Sequence, residues 1–381
     1  MKITSLRTHS LAVADPPLRS SYGRHAPYAL RTIVELDSTD GLTGISETYG
    51  GDAQIAALEA ARSHVVGMDP FQLTRLYRML TRREPAAASP EPAHIAGGRT
   101  QTYLVPGENP LDQPTRTFAA VEVACLDLIG KALDKPLCDL AGGRAREEAP
   151  FSAYLFYKHG GGGGLDADAR EDEYGEALDV RSMVRQARQM VDRYGFREIK
   201  LKGGVLPPAE EIATIRALRE EFGPSYPLRI DPNCAWSIET SVNVGRALKG
   251  ELMNGGYLED PTATLEGKAE VRRRLLSEGI ETPFASNVAV TCFDDVPRAW
   301  RQDAVQIVLS DPHYWGGIRK QQQLSALCEV LRLGLSMHSN NHLGVSMMMM
   351  AHAAAASGHL THACDTHYPW QSSADEVVAG G

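Results

Sequence analysis

Along the first 143 residues the apolar positions follow no repeating order, switching between a strand-like period of two and a helical period of about 3.6. Residues 3–13, 30–36 (LRTIVEL) and 44–48 read as short strands separated by turn formers such as Asp40-Gly41. Helical spacing follows in residues 52–66, with Ile55, Leu58, Ala61 and Val65 on one face, and in residues 115–133, with Phe118, Val121, Ala124, Cys125, Leu128 and Ile129. This pattern predicts a small α+β domain over residues 1–143. Residues 84–114 interrupt it. They are rich in Ala, Pro, Gly and Asn, too polar and broken for a core, and are expected to form a lid or to be disordered.

After Gly143 the pattern becomes regular. Eight β-like runs, at residues 151–157, 198–202, 228–231, 257–259, 282–287, 305–311, 333–338 and 360–366, alternate with helix-like segments such as 180–194, 208–221 and 317–332. The six middle runs end in Lys202, Asp231, Glu259, Asn287, Asp311 and His338, at separations of 29, 28, 28, 24 and 27 residues. Such a period holds one strand, one helix and two loops. It predicts an α/β fold, a (β/α)8-type barrel of modified TIM form over residues 144–381, capped by the N-terminal α+β domain. A doubly wound open sheet is the alternative, but no GxGxxG follows a strand. The first unit is long because His159, the glycines at 160–164 and an acidic stretch to Glu176 precede its helix. No helix starts directly after those glycines to make a phosphate cradle, so the insert is expected to be a flexible surface loop.

Composition narrows the picture. The 381 residues, 43% hydrophobic and 23% charged, have ordinary globular composition and room for one large and one smaller domain. A net charge of −9 gives nucleic acid or an anionic membrane no help from the chain as a whole. No apolar run approaches the roughly 18 residues of a membrane span. The start, MKITSLRTHSLAVADPP, lacks a leader pattern. A soluble, cytoplasmic chain acting on a small molecule is expected. The cysteines, Cys125, Cys138, Cys234, Cys292, Cys328 and Cys364, are scattered without a CxxC and are expected to be reduced.

Strand alternation puts Lys200 and Lys202 of EIKLKGG on one face, and likewise Asp231 and Asn233 of RIDPN. Polar ends on six consecutive strands lie where barrel enzymes place their active sites. Asp231, Glu259 and Asn287 offer only oxygen ligands, which suits a hard divalent ion, Mg2+ above all. Asp311 and His338, opposite the lysines in barrel order, form a candidate acid/base dyad that complements a lysine base. His338 and His342 have HxxxH spacing, but Ser339, Asn340 and Asn341 are turn formers and the next helix starts near Gly344, which rejects a helical zinc pair. Met347 to Met350 are expected to be packing residues.

The run VEVACLDLIGKALDKPLCDLAGG, followed by KLKGG, DPN, LEDP, ASN, SDPHYW and MHSNNH, resembles the enolase superfamily, mandelate racemase subgroup. Within it the likeness is to the D-glucarate dehydratases, favoured by asparagine as third ligand and by the SNNH stretch. Muconate cycloisomerases are similar in fold but use a second lysine where this chain has His338 and Asp311. The resemblance implies Lys202 and His338 as bases, His338 oriented by Asp311, and Asp231, Glu259 and Asn287 as Mg2+ ligands. It implies that Lys200 contacts the substrate carboxylate and depresses Lys202. It also implies substrate contacts from His25, Thr102, Tyr154, Asn233, Ser339, Asn340 and His367, with His25 and Thr102 making the cap a specificity element beneath a lid. The implied activity is that of a carbon–oxygen lyase of acid-sugar catabolism, assembled as a homo-oligomer. It would dehydrate D-glucarate and its C5 epimer L-idarate to a keto-deoxy-glucarate. Another acid sugar, galactarate or an aldonate, and a catalytically weak metal- or ligand-binding paralogue are the alternatives. Relatives of this kind continue past the last barrel run, return to the cap and add an arginine; YPWQSSADEVVAGG holds no counterpart, so the barrel domain is expected to be short at its C-terminus.

Overall fold

The computed structural model describes residues 1–81 and 113–379. Strands β1 (Ile3–Ala14), β4 (Tyr28–Ser38) and β5 (Thr43–Tyr49) form an antiparallel sheet in the order β1-β4-β5, and β2 (Arg19–Ser20) pairs with β3 (Gly23–Arg24) in a separate ribbon. Leu6 lies opposite Leu36 in the β1–β4 register. Leu6, Val34 and Leu36 are buried in one cluster with Leu58, Leu76 and Phe118, which come from α1 (Asp52–Val65), α2 (Leu73–Leu80) and α3 (Gln113–Leu133). The sequence reading passes over α2, although Leu73 and Leu76 mark its buried side. Helix α3 is buried on nearly every face because it lies between this sheet and the barrel. Its Ala120 carbonyl accepts from Ser46 Oγ (2.6 Å), and a Cβ at Gly44 would run into the Ala124 carbonyl.

Past α4 (Leu137–Leu140), seven parallel strands follow in chain order, each paired with the next. They are β6 (Ala153–Phe156), β7 (Ile199–Lys202), β8 (Leu228–Asp231), β9 (Tyr257–Glu259), β10 (Phe284–Ser286), β11 (Ile307–Ser310) and β12 (Gly334–Met337). Helices α5 (Val180–Tyr194), α6 (Pro208–Phe222), α7 (Ile238–Ala247), α8 (Leu265–Ser277) and α9 (Asp295–Arg301) connect the first six, α10 (Pro312–Trp315) and α11 (Gly317–Leu331) precede β12, and α12 (Gly344–Ala356) follows it. Leu201 and Ile230 face the apolar shell of helices, while Lys200, Lys202, Arg229 and Asp231 alternate into the barrel, where all four are buried. Helix α5 shows how local sequence sets an element's limits: an Asp179–Ser182 capping box opens it and left-handed Gly195 closes it.

Two expectations are revised. The eighth run forms no regular strand. It closes the ring by scattered bonds on both sides: Asp365 N donates to Met337 O (2.8 Å), Ser152 N to Cys364 O (2.9 Å) and Cys364 N to Pro150 O (2.8 Å). Thr361 N and His362 N both reach Leu335 O (3.0 and 3.2 Å), and that doubled contact breaks the ladder. The glycine-rich insert is tied down where a free surface loop is expected. Lys158 Nζ bonds Asp172 Oδ1 (2.7 Å), Gly164 N bonds Pro27 O (2.9 Å) and Arg170 pairs with Asp375 (2.6 Å). Gly162, Gly163 and Gly164 serve close backbone approach, and a Cβ at Gly163 would meet Asp15.

No helix among the described residues is long and apolar enough to cross a membrane, and all six cysteines are free thiols.

Candidate active site

The strand ends bring the basic and acidic side chains together inside the barrel. Lys202 pairs in register with Asp231 across β7 and β8, and its Nζ donates to Asp231 Oδ2 and to Asn233 Oδ1, both at 2.7 Å. Lys200, two residues earlier on the same face, donates to Glu259 Oε1 (2.8 Å) and to Asp365 Oδ2 (2.6 Å), and lies 3.7 Å from Asp231 Oδ2. The Tyr154 ring lies 4.5 Å from Lys200 Nζ, and its hydroxyl donates to Asp231 Oδ2 (3.3 Å). Both lysines and all three carboxylates are buried.

Charge proximity decides their states. Burial would raise Asp231, yet Lys202 and Lys200 hold it well below the ordinary carboxylate range. Burial and the neighbouring Asp231 charge push Glu259 well above that range, against Lys200. Burial pulls Lys202 down, but Asp231 together with Tyr22 and Glu259 outweighs it, so the ammonium is held more firmly than an ordinary lysine. The expected depression of Lys202 by Lys200 is therefore corrected: the like charge acts in that direction but is the weaker influence beside Asp231.

The donor set fits a hard divalent cation. Asp231 and Glu259 carry only oxygen donors and Asn287 offers an amide oxygen, and neither amide atom of buried Asn287 has a hydrogen-bond partner among the described residues. Behind Asn287 stands Asp260, which the sequence reading misses. It accepts from Ser286 Oγ (2.6 Å), Asn287 N (2.9 Å) and Val288 N (3.1 Å), and pairs with Lys268 (3.0 Å). Asn233, Cys234 and Asp260 all have left-handed backbone (φ 47°, 66° and 37°), the kind of strain that surrounding structure must hold in place.

On the other side of the barrel, Asp311 and His338 are neighbours but not a tight pair: Nδ1 of His338 lies 3.7 Å from Asp311 Oδ2. Asp311 is otherwise engaged. Its Oδ1 accepts from the His313 backbone (2.9 Å) and ring Nδ1 (2.6 Å), and its Oδ2 accepts from the Tyr49 hydroxyl (3.0 Å). Burial would raise Asp311, yet His313 and His338 hold it far below the ordinary range. Burial pulls His338 below the ordinary histidine value; Asp311 pulls the other way and Lys200 reinforces the fall.

Around the mouth, His25, Tyr154 and His367 converge on Phe156. Ring centroids are 5.8 Å for His25 to Phe156, 4.8 Å for Tyr154 to His367 and 5.2 Å for Phe156 to His367. Asp15 Oδ2 holds His25 Nδ1 (3.0 Å), which leaves buried Nε2 without a partner among the described residues. Ser339 Oγ lies 3.1 Å from His367 Nδ1, and Asn340 Nδ2 donates to the Tyr49 hydroxyl (3.0 Å). Thr102 lies outside the described residues. His342 stands apart from His338, in the turn before α12, where its Nε2 meets Thr366 Oγ1 (3.1 Å). The residues missed by sequence reasoning are Asp365, Asp260, Tyr49 and His313. For Asp365 a signal existed, because it precedes His367 by two residues on the same run.

A ring of parallel strands whose ends carry paired lysines, an all-oxygen ligand set and an Asp–His pair, under a three-stranded cap, defines a class. The chain belongs to the enolase superfamily: residues 182–381 match the family described as Enolase C-terminal domain-like. It is 44% identical over 376 residues to the probable glucarate dehydratase of Streptomyces coelicolor, covering 98% of this chain and 83% of that one. Among solved structures, an enolase from Pseudomonas fluorescens with bound magnesium, potassium and tartrate superposes with a TM-score of 0.88 at 46% identity, covering 100% of this chain and 85% of that one. An enolase from Mycobacterium smegmatis complexed with tartrate gives a TM-score of 0.86 at 43% identity, covering 100% and 84%.

Proposed function

We propose that the chain is a Mg2+-dependent dehydratase of an acid sugar, acting on D-glucarate and its C5 epimer L-idarate. The observation that carries this reading is the burial of two candidate bases, Lys202 and His338, at the ends of parallel strands whose oxygen donors include the Asn287 amide, without a hydrogen-bond partner among the described residues. A relative at 44% identity is a probable glucarate dehydratase, and two solved relatives hold tartrate, itself a hydroxy diacid.

The chemistry follows from what the side chains can do. A proton α to a carboxylate is weakly acidic, so its removal needs positive charge where the enediolate forms. A divalent cation held by Asp231, Glu259 and Asn287 would supply part of that charge. Lys200, buried against Glu259 and Asp365, would supply the rest at the carboxylate oxygens. Lys202, freed of its proton once a divalent cation on Asp231 offsets the negative charge that holds the ammonium, would take the proton from one face of the α-carbon, and neutral His338 from the other. The C–H electron pair moves into the carboxylate and returns to expel the β-hydroxyl, which leaves as water with a proton from His338. The enol then tautomerises to the keto-deoxy diacid, so the net change is loss of one water. His25, Tyr154, Asn233, Ser339, Asn340 and His367 line the space where the remaining hydroxyls and distal carboxylate would lie.

The test is a screen of acid sugars with the full chain and Mg2+, reading keto product and exchange of the α-proton in 2H2O. Product from D-glucarate and L-idarate, lost on chelation, is expected. Turnover only of galactarate or an aldonate would move the substrate within the same chemistry, and activity on none with metal binding intact would replace the enzyme reading by a ligand-binding paralogue.

A further inference from the structure

Among the described residues, the capping domain reaches the Asp311–His338 pair through a single hydroxyl. Glu47 and Tyr49 are alternate residues of β5 and face the barrel, whereas Ser46, just before Glu47, faces α3. Glu47 accepts from Leu343 N and Ser346 N at the start of α12 (both 2.9 Å), which anchors the strand end. Tyr49 OH then donates to Asp311 Oδ2 (3.0 Å) and accepts from Asn340 Nδ2 (3.0 Å). Its ring is fixed on three sides, edge-on to His313 at 5.5 Å, with the Arg31 guanidinium at 5.1 Å and that of Arg116 at 6.0 Å.

The oxygen that Tyr49 occupies is the one that faces His338. A carboxylate polarises an imidazole through the negative charge it has left to offer. Each further donor on the same group draws on that charge. Asp311 already has two donors from His313 on Oδ1, and His313 Nε2 continues to Ser346 Oγ (2.7 Å) and from there to Arg31 (3.2 Å). With Tyr49 added on Oδ2, His338 Nδ1 remains 3.7 Å away and unbonded among the described residues.

We propose that Tyr49 is a positioning residue for His338: by donating to the carboxylate oxygen that faces the imidazole, it limits how far Asp311 can draw in and protonate His338, and it ties that limit to the seating of the cap. The inference deepens the reading of His338 as a proton-transfer group and rests on that reading for its catalytic meaning, though not for its test. The charged and titratable groups that face His338 are Asp311 from the end of β11, Lys200 from β7, and Asp365 and His367 from the segment that closes the ring. None of these comes from the described residues of the cap. Among those residues, Tyr49 is thus the cap's route to this group.

The experiment follows the His338 imidazole by NMR in histidine-labelled full chain with Mg2+ present, assigned by its loss in His338→Asn. In Tyr49→Phe, which keeps the ring packing and removes one donor, the His338 titration midpoint should rise by about one pH unit, tenfold in proton affinity. In an Asp311→Asn background the same change should be silent, because the charge being shared is gone. An unchanged or lowered midpoint in Tyr49→Phe overturns the proposal, and so does an equal rise with and without the Asp311 charge. These readouts require no turnover. If wild-type protein exchanges the α-proton of no acid sugar, the proposed function fails while the titration still decides the role of Tyr49.

Discussion

On the β7–β9 side of the rim, the hydrogen-bond partners of Lys200 and Lys202 are all barrel side chains: Asp231, Asn233, Glu259 and Asp365. On the β11–β12 side, the capping domain supplies the partners. Tyr49 donates to Asp311, Glu47 caps the start of α12, and Glu122 of α3 accepts from Ile318 N and Arg319 N at the start of α11. The lysine half takes its side-chain hydrogen bonds from the barrel, with Ser21 of the cap donating to Asn233 O and Tyr22 of the cap acting on Lys202 from nearby, whereas the carboxylate of the histidine half is bonded directly from the cap. A base whose charge environment is local can be read from strand spacing. One whose environment depends on another domain's seating cannot, and it is also the one that domain closure can tune.

The largest effects should come from removing the two proton-transfer groups. Lys202→Arg should stop α-proton exchange from one face, and His338→Asn should stop dehydration of glucarate, each by ~10³-fold or more. Mg2+ binding, measured by calorimetry, should survive in His338→Asn because His338 is not among the oxygen donors. Unchanged turnover in His338→Asn removes the histidine half from the chemistry. Exchange that persists in Lys202→Arg transfers the base role elsewhere.

A change on the cap should then separate the halves. Glu47 and Arg31 form a buried pair (2.7 Å), both almost wholly removed from solvent. Breaking such a pair by removing one partner costs about 3–5 kcal/mol. Glu47→Ala should lose stability of that order in denaturant unfolding, and it also frees the two N–H groups that begin α12. In the folded variant, exchange from the histidine face should slow more than exchange from the lysine face. Equal slowing on both faces would mean that the halves are not built separately.

The sequence is legible where chemistry repeats with the fold. Six polar strand ends at near-constant spacing mark β7 to β12, and the structure brings Lys200, Lys202, Asp231 and Glu259 into one chamber because register alone requires it. The missed residues share a different cause. Tyr49 meets Asp311 across 262 residues of chain, and nothing in SETYG distinguishes a tyrosine that reaches a carboxylate from one that packs. His313 sits two residues past Asp311 on a turn, where strand alternation no longer says which way it faces. The glycines at 160–164 read as freedom, but in the fold Gly163 permits close approach to the Asp15 backbone, and Gly162 and Gly164 to Glu171 and Asp168. The last run has the composition of a strand, and only its doubled bonds at Leu335 show why it forms no ladder.

The smallest effect concerns the joint itself. Glu122 is fully buried in α3, and burial pushes its carboxyl up to about 7 despite the N–H donors of Arg319 and Ile318. Because the folded state binds this proton more tightly than the unfolded chain, the group's stabilising contribution is complete below about pH 4.5. It is lost as pH rises to about 7, and nothing further is lost above that. The full swing for this shift is ~3 kcal/mol at most. Glu122→Gln removes the titration but leaves a single acceptor oxygen for two N–H groups, at a pH-independent cost of ~1 kcal/mol. The variant should therefore be less stable than wild type at pH 5 and draw level with it or pass it by pH 8, as thermal unfolding at several pH values would show. A stability difference that stays flat between those values would mean that Glu122 is ionised throughout, with the start of α11 compensating its burial. The two domains would then be joined on the histidine side by a fixed charge in place of a titrating one.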